Sequence, residues 1–397
     1  MNQEQHMWRY AFASVVVTIS TLGFGRMSYG ILMPFMKESL SLTYAQAGML
    51  ATTNSLGYLG MVLFAGILAA KWGSKRLVVF GVALVALGLM YMATVQSYAA
   101  SLVGMIVLGV GTAFTYTPLV TIVVGWFPQR RGMMIGFLVS GLGLGTLISS
   151  LLIPLFTSWF SMDGWRYLWF VYGLLSLLFA LAALLILRDP PVPLLNKEQK
   201  EQSLWREVYL HKSVLLVAII YGLIGFAYLI PQSFLFSYIL EFKIDRFLAG
   251  KIMALGGLMS ILSGPLWGII SDRIGRKKSL LITLLTGAMS MLIPVIYPVL
   301  IGFVISQFFW GITIVGMLSL IQALSTEQIH ASYAPIALGY VTIYFASGQL
   351  LGPGLGGWMV DHIGGISSAL LLCFGLLMLA FLFSLRLQKK KPNSSSL

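Results

Sequence analysis

The sequence predicts an all-α polytopic membrane protein, with twelve transmembrane helices in two six-helix bundles. Of its 397 residues, 58% are hydrophobic and 9% are charged, and the mean hydropathy is +0.90. Soluble domains carry about 25% charged residues, so a soluble globular protein is excluded. Long apolar runs separated by short polar breaks, and an internal repeat of about half the chain length, are the other two observations behind this prediction.

The apolar runs are read as membrane spans in chain order. A helix needs about 20 apolar residues to cross roughly 30 Å of hydrocarbon. The first run is too long for a signal-peptide core and has no small-residue cleavage site, so we retain it as a span. The predicted spans one to twelve are 10–36, 44–70, 77–95, 99–125, 132–157, 165–187, 213–240, 247–271, 279–297, 300–324, 333–358 and 366–386.

The one long connection between spans divides the chain into two halves. It covers residues 188–212, concentrates charge, and contains a Pro-Pro-Val-Pro stretch that cannot continue a helix. We therefore predict an N-terminal six-helix bundle at 1–187, a linker at 188–212, and a C-terminal six-helix bundle at 213–397.

The basic residues predict the orientation of the chain. Lys37, Arg166, Lys243, Arg246 and Lys251 lie on one side of the predicted bundle, and Arg26 lies within a span. The other 19 of the 25 Lys and Arg residues fall on the opposite side. Because basic loops stay in the cytoplasm, we expect both termini and the linker to be cytoplasmic, in the inner membrane of a bacterium. The net charge of +13 is thereby explained without a nucleic-acid partner.

The two halves repeat one another at an offset of about 202 residues. The segment that begins at Gly66 after span two matches the segment that begins at Gly268 after span eight. Gly23-Phe24 in span one matches Gly225-Phe226 in span seven at the same offset. Since the shift covers an even number of spans, both copies have the same orientation, as in a parallel repeat about an axis normal to the membrane.

The second copy of this repeat carries a specific motif. Gly268-Ile-Ile-Ser-Asp-Arg-Ile-Gly-Arg-Lys-Lys278 resembles the cytoplasmic loop signature of the major facilitator superfamily, and the resemblance covers nearly the whole chain. It implies the major facilitator fold and a gating role for five residues: Gly268, Asp272, Arg273, Gly275 and Arg276. In the first copy, Ala70 and Lys71 replace the acidic residue and the arginine of the signature.

A narrower resemblance points to one branch of the superfamily. The segment Trp126–Gly132, followed by a glycine-rich helix and Gly164-Trp-Arg166, is similar to the monocarboxylate and oxalate/formate branch. Gly348–Pro353 leading to Asp361 is similar to span eleven of that branch. The branch tends to carry an arginine in span eight, where this chain has Ser263-Gly-Pro265, so a related uncharacterised bacterial subgroup is the alternative.

Arg26 is the candidate for chemistry inside the membrane. It lies sixteen residues into span one, about 24 Å along the helix axis, whereas all twelve acidic residues fall in loops or at helix ends. A guanidinium forms bidentate hydrogen bonds with carboxylate, sulfonate or phosphate, so an anionic substrate in an aqueous cavity is the expected partner. Alternatively, Arg26 bonds backbone carbonyls of a helix broken near Gly23 and Gly25, or lies at the outer interface.

Other polar side chains in apolar spans complete the predicted site. A hydroxyl or amide in hydrocarbon must find a partner, which favours positions at a cavity or between helices. In the superfamily, the first and fourth helices of each half line the cavity, and Tyr228 is the repeat mate of Arg26. The predicted substrate-binding residues are Arg26, Asn54, Tyr58, Tyr116, Tyr228, Gln232, Gln307, Trp310, Tyr340 and Tyr344. For each of them, a role in bonding one helix to another is the alternative.

No cluster of His, Asp, Glu or nucleophilic residues suggests an enzyme, a metal site or a cofactor, and the single cysteine, Cys373, excludes a disulfide framework. Proton-driven transporters usually place a carboxylate or histidine in the cavity, and this sequence predicts none. Two forms of coupling remain: exchange or facilitated diffusion with Arg26 as counter-charge, and cotransport of a proton carried by the substrate or by Glu241 or Glu327. The expected second partner is therefore a proton or a counter-anion.

The function predicted from these observations is secondary active or facilitative transport of a small, carboxylate-like organic anion by alternating access. The expected partners are this anion and the lipid bilayer. We expect a monomer, because two internal repeats already form a closed pathway. Proton-coupled multidrug efflux is the alternative, supported by the 13% aromatic content, although span five lacks the glycine-proline pair of drug antiporters.

Overall fold

The computed structural model describes residues 3–160, 163–190, 209, 211–327, 329 and 334–387. All its regular elements are helices, and they follow the predicted spans in order. Span one consists of Gln3–Thr18, a π-helical segment Ile19–Met27, and Tyr29–Ser39. Spans two to twelve are Tyr44–Trp72, Ser74–Thr94, Tyr98–Trp126, Arg131–Trp159, Gly164–Ile186, Lys212–Glu241, Arg246–Ile274, Arg276–Ile296, Leu300–Glu327, Ala334–Met359 and Gly365–Leu385.

The number of membrane crossings follows from the length and hydropathy of the helices and from one reversal of the chain direction. In the described residues, ten helices are long and apolar enough to span a membrane, or eleven if the bent Tyr44–Trp72 counts as one. The longest stretch, Ala337–Leu385, has 49 residues, far more than one crossing needs. It reverses at Gly365, where φ is +66°, and a Cβ on Gly356 would lie 3.7 Å from the Ala369 Cβ. This stretch therefore holds spans eleven and twelve.

The backbone repeats at the predicted offset. Gly73 and Gly275, which separate spans two and three and spans eight and nine, have φ of +91° and +90°. Ser41 and Lys243 have φ of +50° and +58°, a region that residues with a side chain seldom adopt. Both pairs are 202 positions apart, so each half folds with the same turns.

The surface and the linker complete the description. Large apolar side chains such as Leu185, Leu178 and Ile296 are strongly exposed on the outside of the bundle. Such a surface is stable in lipid, which agrees with the predicted bilayer. The predicted linker lies outside the described residues except for 188–190, 209, 211 and 212, and so does the tail at 388–397.

The two halves meet at two helix pairs: span two packs on span eleven, and span five packs on span eight. Glycines allow these close approaches: a Cβ on Gly48 would lie 2.1 Å from the Pro353 carbonyl oxygen, and one on Gly257 would lie 3.0 Å from the Leu147 nitrogen. Thr52 Oγ1 adds a polar link, since it accepts a hydrogen bond from the Gly354 amide at 3.0 Å.

Polar contacts between the halves close one end of the bundle. We call the end that carries loops 40–43 and 242–245 and residues 360–364 the sealed end. There the Asp361 carboxylate accepts hydrogen bonds from the backbone amides of Tyr44, at 3.1 Å, and Ala45, at 2.6 Å. The Tyr44 hydroxyl donates to Glu241 at 3.1 Å. At the matching seam, Arg246 donates to the Thr157 carbonyl at 3.2 Å. The opposite end, which carries the linker, is the linker end.

Candidate functional site

Arg26 lies in the π-helical segment of span one. Nη2 of its guanidinium donates to Ser55 Oγ at 3.0 Å and to Gln349 Oε1 at 2.9 Å. The ring of Tyr58 lies 5.4 Å from the guanidinium carbon, within the range of a cation–π contact. Ser55 and Tyr58 belong to the first half and Gln349 to the second, so this cation joins the two halves.

The partners of Arg26 are all neutral side chains. The described residues place no carboxylate within ion-pair distance of it. Nε is buried and has no hydrogen-bond partner among the described residues, and Nη1 donates to none of them. A charge in a membrane is costly and is normally compensated by a counter-charge or water. Within the described residues, Arg26 therefore has donors without an acceptor.

Arg26 lines a cavity between the halves, which we call the central cavity. Its volume is about 220 Å³, and its lining residues extend from Arg26 toward the linker end. Aromatic and apolar side chains form most of its wall. The first half contributes Leu22, Met27, Tyr58, Tyr116, Ile135, Val139 and Leu142, and the second half contributes Tyr221, Tyr228, Val315, Leu318, Ser319, Gln322, Thr342, Phe345, Ala346 and Gln349.

Arg26 also lines a second, smaller space, which we call the inner pocket. Its volume is about 10 Å³, which is room for about one water molecule. Its wall is formed by Arg26, Tyr29, Gly30, Ala51, Asn54, Met105, Leu229, Gln232 and Ser233. Arg26 thus stands between the two spaces, with the inner pocket on the side of the sealed end.

The structure brings six of the ten predicted binding residues to these spaces. Arg26, Tyr58, Tyr116 and Tyr228 line the central cavity, and Arg26, Asn54 and Gln232 line the inner pocket. Gln232 Nε2 donates to the Met27 carbonyl at 3.1 Å, and the Tyr228 hydroxyl lies 3.8 Å from the Met27 sulfur. Spans one and seven are therefore bonded to each other at the site.

The other four predicted residues lie elsewhere. A Cβ on Gly256 would lie 2.3 Å from Gln307 Oε1, so Gln307 packs between spans ten and eight. Trp310 is buried in the core. The hydroxyls of Tyr340 and Tyr344 lie 3.1 Å apart. None of these four lines the central cavity or the inner pocket, and a binding role for them stays a prediction.

Sequence reasoning missed the glutamines of the cavity. Gln349 contacts Arg26 directly, and Gln322 Nε2 donates to the Tyr221 hydroxyl at 2.7 Å. Both are single amides within apolar helices, which is the same signal that selected Gln232 and Gln307. The position of spans ten and eleven along the membrane normal, relative to span one, decides which glutamine side chain reaches the cavity. The amino-acid composition of the spans does not give that position.

The signature loop lies at the linker end. Gly275 has the positive φ noted above, and a Cβ on Gly268 would have no described neighbour within 4 Å. Arg276 forms an ion pair of 2.6 Å with Glu327 at the end of span ten. Asp272 and Arg273 form no ion pair with a described residue. This arrangement agrees with an open linker end, and the gating role of the five residues stays a prediction.

Two helical halves around a cation-bearing cavity that is closed at one end define a membrane transporter. A family described as "Uncharacterised MFS-type transporter YbfB" matches residues 18–385, and the chain belongs to this family of the major facilitator superfamily. The fold and the family resemblance predicted from sequence are confirmed. The family and its relatives are transporters, not enzymes.

Several characterised proteins are similar to this chain. The oxalate:formate antiporter of Oxalobacter formigenes is 23% identical over 352 residues, which cover 83% of this chain and 79% of the relative. Monocarboxylate transporter 12 of Mus musculus is 25% identical over 67% of this chain and 61% of the relative. The sialic acid transporter NanX of Escherichia coli is 25% identical over 66% of this chain and 65% of the relative.

Solved structures share the fold. The nucleoside transporter NupG has a TM-score of 0.75 and 17% identity, covering 98% of each chain. A bacterial homologue of the lysosomal transporter Spinster, in an inward-facing, unoccupied conformation, has a TM-score of 0.70 and 16% identity over 96% of each chain.

Proposed function

We propose that this protein transports a small organic anion of the carboxylate class by alternating access. The observation that carries the proposal is Arg26, a cation at the wall of the central cavity. Its partners in the described part of the chain are neutral, and no described residue accepts a hydrogen bond from its Nε or Nη1. An anion bound there would receive charge-assisted hydrogen bonds, which are roughly twice as strong as neutral ones.

The charge balance of the cavity favours an anion with one negative charge. Among the described residues that line the central cavity and the inner pocket, Arg26 is the only one with a charged side chain. One carboxylate neutralises it, whereas a second carboxylate would lie among tyrosines and apolar side chains without a counter-charge. Burial of an unpaired charge is costly, so we expect monoanions to bind more tightly than dianions.

The aromatic wall suits the apolar part of such an anion. Tyr116, Tyr221, Tyr228 and Phe345 line the central cavity around Arg26. Their rings offer large apolar surfaces, and the tyrosine hydroxyls can bond water or substrate. The relatives named for oxalate, formate, monocarboxylates and sialic acid transport also support an anionic substrate.

The mechanism we propose is a rocking motion of the two halves about the site. The sealed end is held by contacts between the halves, and the central cavity reaches the linker end. Arg26 belongs to span one and is bonded to Gln349 of span eleven, and both halves line the cavity in which the anion would lie. Opening of the sealed end and closure of the linker end would release the anion on the other side.

Counterflow into proteoliposomes tests this proposal. Purified protein is offered monocarboxylates, dicarboxylates, sulfonates and organophosphates. We expect monocarboxylate uptake that falls at least a hundredfold in Arg26→Ala. Uptake by Arg26→Lys should fall less, because lysine keeps the positive charge but lacks the planar guanidinium group that binds a carboxylate with two hydrogen bonds. The matched control is Arg386→Ala, an exposed arginine outside the cavity, which should transport normally.

Two results would contradict the proposal. One is normal anion transport by Arg26→Ala. The other is transport of cationic or neutral amphiphiles with every anion ignored, which would favour multidrug efflux. The aromatic wall of the central cavity is the observation that favours this second candidate. Its test is ethidium efflux from the same vesicles with and without a proton gradient.

A further inference from the structure

The backbone carbonyls on either side of Arg26 are bonded to opposite halves of the molecule. The Gly25 carbonyl accepts a hydrogen bond from Asn54 Nδ2 of span two at 3.2 Å. The Met27 carbonyl accepts one from Gln232 Nε2 of span seven at 3.1 Å. Span two belongs to the first half and span seven to the second, so the backbone that carries Arg26 is attached to both halves.

Both carbonyls lie where the winding of span one is irregular. The Ser28 amide donates to the Gly23 carbonyl, five residues earlier, at 2.9 Å. The Ile31 amide donates to the Ser28 carbonyl, only three residues earlier, at 3.1 Å. A regular α-helix bonds each amide to the carbonyl four residues earlier, and where this pattern changes a side chain from a neighbouring helix can bond the backbone. The conformation of the Arg26 segment therefore depends on partners outside span one.

Spans one and seven also touch through their backbones, one turn beyond Arg26. A Cβ on Gly30 would overlap the Gln232 carbonyl oxygen. Arg26 lines the central cavity, and Gly30 and Gln232 line the inner pocket on the side of the sealed end. Opening of the sealed end would separate spans one and seven at this contact, and the hydrogen bond from Gln232 to Met27 would then break.

The guanidinium of Arg26 is divided between the halves in the same way. Its Nη2 donates to Ser55 of the first half at 3.0 Å and to Gln349 of the second half at 2.9 Å. Each half thus supplies one bond to the side chain of Arg26 and one to the backbone beside it. A rocking motion of the halves cannot leave all four of these bonds in place.

We infer that Gln232 is a positioning residue, which holds Arg26 toward the central cavity while the sealed end is closed. The inference rests on the proposed function. Gln232, which the sequence placed among the substrate-binding residues, then acts on Arg26 through the Met27 carbonyl and not on the substrate. An anion on Arg26 binds the sealed conformation more tightly than the opened one, so it stabilises the sealed conformation by the same factor. Separation of spans one and seven lowers the affinity and releases the anion.

The distance between spin labels at Ser158 and Lys243, on opposite halves of the sealed end, tests this coupling. Acetate, benzoate and methanesulfonate are added to the labelled full-length protein in lipid nanodiscs. We expect each anion to raise the ratio of the shorter to the longer distance at least fivefold. Gln232→Met keeps the length of the side chain but cannot donate, so anion affinity should fall about tenfold and the anions should leave the distances nearly unchanged.

Ser237→Ala is the matched control. The Ser237 hydroxyl lies 3.9 Å from the Met33 sulfur, so this substitution removes a polar contact between the same two helices without touching the Arg26 segment. It should keep both the anion affinity and the change in distance. An equal loss of both in Ser237→Ala would show that any weakening of the contact between spans one and seven has this effect, and would overturn the specific role of Gln232.

A positioning role also predicts how the loss depends on the anion. If Gln232 acts through Met27, Gln232→Met should weaken the binding of all three anions by the same factor. A side chain that touched the substrate would give factors that differ with the size and shape of the anion. Gln232→Asn keeps the amide but is shorter by one methylene group, so it should give the same uniform loss even if Gln232→Met does not fold.

The outcomes separate this inference from the proposed function. Anion binding that depends on Arg26 but leaves the distances unchanged would overturn the inference, and so would unequal losses among the three anions. Either result would leave the proposed function standing. Failure of the folded protein to bind any of the three anions would overturn both.

Discussion

At the scale of single residues, the charge of the site depends on the hydrogen bond between Arg26 and Gln349. Gln349 Oε1 accepts from Arg26 Nη2 at 2.9 Å, and it does so with a neutral oxygen. A glutamate in its place would have nearly the same shape and a full negative charge. The neutrality of this position is what leaves the positive charge of Arg26 available to a substrate.

Gln349→Glu is therefore expected to weaken anion binding by competing with the substrate for Arg26. The new carboxylate would pair with Arg26 and compete with the substrate, so anion affinity should fall at least tenfold while the fold is retained. The measurement is anion-induced thermal stabilisation together with counterflow. Gln322→Glu is the comparison variant, because Gln322 lines the central cavity and bonds Tyr221 rather than Arg26; it adds the same charge without the direct partner, so its anion affinity should fall less. Unchanged affinity in Gln349→Glu would argue against Arg26 as the binding cation.

Sequence reasoning selected Arg26 because a charged residue in an apolar span is rare, and Arg26 does line the candidate site. It did not reach Gln349 or Ser55, whose contact with Arg26 depends on how three helices cross. It also selected Gln307 and Tyr344, which have the same polarity but face neighbouring helices. Polarity within a span predicts that a partner exists, whereas tertiary packing decides whether the partner is a helix or a cavity.

At the scale of helices, span one differs from its repeat mate. Its π-helical segment Ile19–Met27 carries Arg26, while span seven is a continuous α-helix from Lys212 to Glu241. π-helical turns are frequent at functional sites. The apolar pattern predicted span one as a membrane crossing, but it could not show that part of the span is π-helical. An α-helix and a π-helix differ in which carbonyl each backbone amide bonds, and the hydropathy of the residues is the same in both.

Gly48 offers a test of helix packing at the sealed end. A Cβ at this position would lie 2.1 Å from the Pro353 carbonyl oxygen, so Gly48→Ala should push spans two and eleven apart. We expect it to destabilise the sealed arrangement by about 1–3 kcal/mol. The measurement is the distance between spin labels at Ser158 and Lys243, which should increase. Gly60→Ala is the control, since nothing lies within 4 Å of its Cβ; equal distances in the two variants would contradict this packing account.

At the scale of the whole molecule, the two ends of the bundle are closed to different degrees. The sealed end combines glycine-mediated helix packing with Asp361, which bonds the first amides of span two from the opposite half. A carboxylate at a helix N-terminus is stabilised by the helix dipole and by hydrogen bonds. Asp361 therefore favours the conformation in which the linker end is open.

Asp361→Asn should shift the molecule toward the opposite conformation. Loss of the charge at a helix N-terminus costs about 1 kcal/mol, which is about a fivefold change in the ratio of the two states. Spin-label distances across the sealed end should gain a longer component. Asp245→Asn is the control, because Asp245 bonds Phe247 and Leu248 at the start of its own helix; it should affect stability without lengthening these distances. An identical distance change in both variants would contradict a specific role for Asp361.

The orientation of the molecule is tested by fusions at the C-terminus. The distribution of basic residues predicts that this end is cytoplasmic. A fused green fluorescent protein should fluoresce in intact cells, and fused alkaline phosphatase should be inactive. Active phosphatase would reverse the assignment, and the linker end would then face the outside.

The open linker end also determines how the protein can be blocked. The central cavity has a volume of about 220 Å³, room for a small molecule, and its lining residues extend toward the face that carries the linker. With that face in the cytoplasm, a polar inhibitor added to the medium would meet only the closed surface around Tyr44 and Asp361. A compound able to diffuse through lipid, or one made inside the cell, would reach the tyrosines of the central cavity and block it.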